Sequence, residues 1–132
     1  MAIGVFLLMA RVMIAAMFIA SGYAALSDIS GTTGYFAALG LPFAVILPYV
    51  VGLFELAAGA ALVLGFMTRP VAALLAAFAV TAGYLGHYGQ GDDATLAFLH
   101  GQMLMKDIAV AGGLIAFAVH GAGRLSFDAL RG

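Results

Sequence analysis

Apolar residues fill four long stretches of the chain, at about residues 2–26, 42–67, 70–88 and 103–121, with polar residues gathered between them. A helix needs about 20 mainly apolar residues to cross a hydrocarbon layer roughly 30 Å thick. Each stretch meets or nearly meets that length, so the pattern predicts an all-α fold: a four-helix transmembrane bundle running up and down, with both termini on the same side. The whole chain, residues 1–132, reads as a single transmembrane domain.

The punctuation agrees with these limits. Ser27, Asp28, Ser30, Gly31, Thr32, Thr33 and Gly34 break the pattern after the first span. Pro42 and Pro70 stand where a first helical turn tolerates a missing N–H. Pro48 lies further in and predicts a kink. Only twelve residues separate Asp107 from His120. The fourth span must therefore start earlier, which draws Lys106 and Asp107 into its outer turn. The first stretch has no basic residue ahead of its apolar run and is interrupted by Arg11, so it reads as a span rather than a cleaved leader. Gly59, Ala60, Gly65, Gly112 and Gly113 read as packing positions, since small residues let helices approach closely in lipid.

Composition supports a bilayer. The 132 residues are 65% hydrophobic and 8% charged, with a mean hydropathy of +1.16. An ordinary soluble domain is about a quarter charged. A net charge of −1 without a basic patch gives nucleic acid no footing. The absence of cysteine removes disulfide relays, iron–sulfur clusters and c-type haem attachment from this chain's chemistry. Arg69, Arg124 and Arg131 fall on one side of the expected topology, and Lys106 alone on the other. That bias predicts cytoplasmic termini.

The few charges within the spans are the candidate chemistry. Counted at 1.5 Å per residue from the inner ends, Arg11 and Glu55 come to about 15 and 16–18 Å deep, which predicts a pair. Such a pair either fixes which helices meet or leaves Glu55 as a proton-handling group, because ionisable residues in a membrane are functional candidates by default. A second polar group lies toward the other face: His87, His100, Gln102, Lys106 and Asp107. Tyr23, Tyr35, Tyr49, Tyr84 and Tyr88 also fall in that half, as an aromatic belt or as part of a site. Lys106 and Asp107 read equally as interfacial anchors. His120 reads as interfacial. The histidine spacing matches no metal motif, so neither metal nor haem is expected. Histidine, lysine, tyrosine and glutamate around a cavity suit a flat head group bearing carbonyls, such as a quinone, whose reduction needs protons.

Several motifs then fall in an order that resembles the DoxX family of small four-span membrane proteins. Arg11 precedes SGYAAL in the first span; GYFAALGLP occupies residues 34–42 and FELAAGAALVLGFMTR residues 54–69. His87 follows the third span, and KDIAVAGGL at 106–114 and GAGRLSFDAL at 121–130 resemble the fourth helix and tail. Family members often carry a lysine where Ala24, Ala25 and Leu26 stand here, and asparagine where Asp107 stands. The resemblance implies a place in membrane-associated oxidoreductase systems, since some relatives are subunits of a thiosulfate:quinone oxidoreductase.

Together these readings predict a membrane subunit of a quinone-linked oxidoreductase in a bacterial cytoplasmic membrane. Glu55 and His87 are the candidate catalytic residues. Arg11, Glu55, Tyr49, Tyr84, His87, His100 and Lys106 are the candidate quinone contacts. Electrons would come from a soluble oxidoreductase partner, so the chain is at most a subunit of an enzyme. A second copy of the chain is a further partner to test for. Two other classes stay open: a non-catalytic anchor or assembly module for a soluble enzyme, and a small proton- or solute-coupled carrier.

Overall fold

A computed structural model describes residues 1–132. The chain is all-helical: α1 (Ala2–Ser27), α2 (Ile29–Ala38), α3 (Leu47–Leu64), α4 (Thr68–His87), α5 (Ala94–His120) and α6 (Phe127–Arg131). Four of these, α1, α3, α4 and α5, are long and apolar enough to cross a membrane. The chain divides into two compact units, one of Met1–Thr68 with Ala122–Gly132 and the other of Arg69–Gly121.

In the first unit α1 and α3 pack antiparallel. The buried face of α1 is Gly4, Arg11, Ala15, Phe18, Gly22 and Ala25; on α3 it is Pro48, Gly52, Glu55, Ala58, Gly59 and Leu62. Each set recurs at three- and four-residue spacing, one stripe of a helix. Glycine sets the distance between them. A Cβ on Gly22 would lie 2.7 Å from the Gly52 carbonyl oxygen, and one on Gly59 would lie 2.8 Å from Ile19. The two backbones therefore touch, as dispersion-driven packing in lipid favours. The apolar side chains left exposed, among them Ile3, Phe6, Met13, Val50 and Leu53, suit a hydrocarbon surround.

Three local expectations change. The polar break after the first span is itself helical: Asp28 accepts a hydrogen bond from the Gly31 N–H at 2.9 Å and so caps α2. Pro48 does not kink a helix, because α3 begins at Leu47 and the proline sits in its first turn. The fourth span starts at Ala94, where Asp93 accepts from the Leu96 N–H at 2.9 Å. Lys106 and Asp107 consequently lie midway along a 27-residue helix rather than in its outer turn.

The C-terminal segment returns to the start of α1. Leu125 packs against Gly4, and Leu7 against Gly123. Asp128 accepts hydrogen bonds from the N–H groups of Met67 and Thr68, each at 2.8 Å, while its own N–H donates to the Gly65 carbonyl at 2.9 Å. Arg131 lies over the Phe66 ring, 5.6 Å from its centroid. Burial pushes the Asp128 carboxyl up, but the N–H donors of Thr68 and Met67 and the charge of Arg131 pull it further down, so it titrates below its ordinary 3.8. A carboxylate held low stabilises the fold above its unfolded value and loses that contribution as pH falls through its folded value. The segment should therefore stay docked at neutral pH and release only in acid, below about pH 4. Limited proteolysis across a pH series checks this, and Asp128→Asn should already expose the segment at neutral pH.

Candidate functional site

Arg11 is fully buried. It donates from Nη1 to the Leu62 carbonyl at 3.5 Å and from Nη2 to the Leu125 carbonyl. The charge acting on it is that of Asp128. The expected Arg11–Glu55 pair at matching depth is corrected. Glu55 sits two turns before Leu62 on α3, about 10 Å away. It lies beside Gly22, whose added Cβ would meet the Glu55 Cβ at 3.0 Å, and Gly22 is three turns along α1 from Arg11. The depths misled because α1 runs past the end of α3, with the C-terminal segment packed on the overhang. Arg11 thus meets the last turn of α3, where Gly65 adopts φ 67° and leaves the guanidinium room that a Cβ would take.

The second unit brings four polar side chains into line. His87 ends α4, and its Nδ1 lies 2.9 Å from Nδ1 of His100, in the second turn of α5. The other ring nitrogen of His87, Nε2, lies 3.8 Å from Oδ2 of Asp107. Oδ1 of Asp107 faces the Lys106 ammonium at 3.3 Å. Asp107 is buried and belongs to the same stripe as Ala111, Leu114 and Phe117. Gly83, one turn before His87, makes space for it: a Cβ there would lie 2.8 Å from the Asp107 Cβ and 2.9 Å from Oδ2. Lys106 keeps half its side chain exposed, so one end of the line is open and the carboxylate is enclosed.

Of the expected site residues, His87, His100 and Lys106 come together around Asp107. Tyr84 is 55% exposed and stacks on Tyr88 at 4.8 Å, outside this cluster. Tyr49, in the first turn of α3, is half exposed. Arg11 and Glu55 lie in the other unit, apart from each other. Asp107 and Gly83 are the additions. The apolar positions at 111, 114 and 117 mark the buried face of α5, and counting back one turn from 111 places the carboxylate on it.

Chemically, a carboxylate facing an imidazole that contacts a second imidazole can orient rings, hold a proton and pass it on. Hydrogen-bond reach joins the two rings; the His87–Asp107 separation lies beyond it.

Four helices apolar enough to cross a membrane agree with the names that similar chains carry. The DoxX family profile matches residues 6–88. The chain belongs to the DoxX family. Two Escherichia coli K12 relatives extend the likeness through α5. "Inner membrane protein YqjF" is 32% identical over 123 residues, 93% of this chain and 89% of the relative. "Inner membrane protein YphA" is 31% identical over 126 residues, 94% of this chain and 89% of the relative. No solved structure matches. This DoxX chain is a membrane protein, and its named relatives are inner membrane proteins.

Proposed function

We propose that this chain is the membrane subunit of a quinone-linked oxidoreductase and that His87, His100, Asp107 and Lys106 meet the quinone head group and its protons. The observation that carries the reading is the His87–His100 contact at 2.9 Å beside a buried carboxylate. Quinone reduction takes up protons together with electrons, and imidazoles can supply them. The exposed Lys106 ammonium offers a donor to a ring carbonyl. The chain has no cysteine and no group that carries electrons by itself, so a soluble oxidoreductase would deliver them. Three arginines against one lysine favour termini on the cytoplasmic side.

Titration of the purified protein with a short-chain quinone tests the reading. Binding should saturate and weaken about tenfold in both His87→Ala and Lys106→Ala, a loss of roughly 1.4 kcal/mol in each. Unsaturable binding, or affinity unchanged in both variants, would overturn it.

A further inference from the structure

The contacts of the cluster select one tautomer for each neutral histidine. Asp107 Oδ2 lies 3.8 Å from Nε2 of His87, too far for a direct hydrogen bond, but an ionised carboxylate only accepts, so its charge favours the tautomer with the hydrogen on Nε2. A neutral imidazole has one N–H, which leaves Nδ1 of His87 as a lone pair. Its contact at 2.9 Å is Nδ1 of His100, so that nitrogen must carry the hydrogen of the second ring. Nε2 of His100 is then an acceptor, on a residue that is part-exposed. Lys106 engages the other carboxylate oxygen, Oδ1, and leaves Oδ2 to His87.

We propose that His100, His87 and Asp107 form a directional proton line, entered at Nε2 of His100 and ending on the carboxylate buried midway along α5. A proton arrives on Nε2 of His100. The Nδ1–H of that ring passes to Nδ1 of His87, and the Nε2–H of His87 passes to Oδ2 of Asp107, making a neutral carboxylic acid. One proton has moved and no electron has. Both rings are left in their opposite tautomers, and return of the proton by the same transfers in reverse restores them. The last transfer spans 3.8 Å, which a small turn of the His87 ring or one bridging water closes. The charged and titratable groups acting on His87 are Asp107, His100 and Lys106. Gly83 is a positioning residue, because a side chain there would displace the carboxylate from the end of the line.

The line deepens the quinone reading by naming the route of the protons, yet it can be tested without quinone. In nanodiscs, 15N spectra of labelled histidine should show His87 as the Nε2–H tautomer and His100 as the less common Nδ1–H tautomer. After a rapid acid step, the infrared carboxylic-acid band of Asp107, identified by its loss in Asp107→Asn, should grow at least tenfold more slowly in His100→Gly and in His87→Gln. Free imidazole should restore the rate in His100→Gly, which a purely structural role would not allow. The opposite tautomers, or an Asp107 band that grows at the parent rate in both variants, would overturn the line. Neither result depends on whether quinone binds, so a failed quinone titration and a failed line are separate outcomes.

Discussion

Replacing Arg11 with alanine should free the C-terminal segment and lower stability by about 3 kcal/mol, from the loss of two hydrogen bonds to a charged donor worth roughly 1.5–3 kcal/mol each. Two effects oppose one another. Removing the guanidinium relieves the cost of holding a charge in a low dielectric, and for a well-packed apolar replacement that relief can win. Alanine does not fill the space, and it takes the Arg11 donor from the Leu125 carbonyl and leaves the Leu62 carbonyl with the Gly65 N–H alone. The loss should therefore dominate. Thermal unfolding in detergent and protease cleavage after residue 122 give the two readouts. Arg11→Lys should recover only part of the loss, since a single ammonium lacks the planar fork that reaches α3 and the returning segment together. A melting temperature unchanged in Arg11→Ala, with the segment still protected, would contradict this account of its role.

Gly22→Leu should be the most damaging substitution in the apolar core. The first added carbon already lies 2.7 Å from the Gly52 carbonyl oxygen and 3.0 Å from the Leu56 N. Both are main-chain atoms, which cannot swing aside as a side-chain tip can. The helices must separate, and the dispersion contacts along Ala15, Phe18, Ala58 and Leu62 weaken with them. Overpacking typically costs about 1–3 kcal/mol, and a backbone obstruction belongs at or above the upper end. Gly112→Leu is the control, because a Cβ there meets nothing within 4 Å. Equal thermal stability for the two variants would refute the close approach of α1 and α3.

The sequence shows some of this plainly. Four spans follow from hydropathy, because a bilayer permits few ways of satisfying a backbone. Their limits were less legible. Ser30, Gly31, Thr32 and Thr33 have the composition of a turn, yet Asp28 caps them into α2. His100, Gly101 and Gln102 look like loop, yet Asp93 starts α5 well before them. Helix ends depend on single capping contacts that composition does not reveal. The Arg11–Glu55 expectation failed for a related reason: counting depth from each terminus assumes that neighbouring helices end flush. How far α1 overhangs α3 depends on the fold-back of residues 122–132, a tertiary fact. His87, His100 and Lys106 were legible singly as polar residues bordering apolar spans. Their alignment on Asp107 was not, because it depends on where α4 stops and how α5 is turned about its axis.

The buried guanidinium also imposes an order on biogenesis. Arg11 is synthesised 114 residues ahead of its Leu125 acceptor. Throughout translation of the intervening helices the nascent chain carries a cation with at most its Leu62 acceptor in place and the Leu125 one still unmade. Such a charge is costly in lipid, so the half-made protein should linger at the insertion machinery or at the bilayer surface until Leu125 emerges. A ribosome stalled shortly before Leu125 would leave a product marked by that exposed cation, one that membrane proteases could tell from the finished molecule.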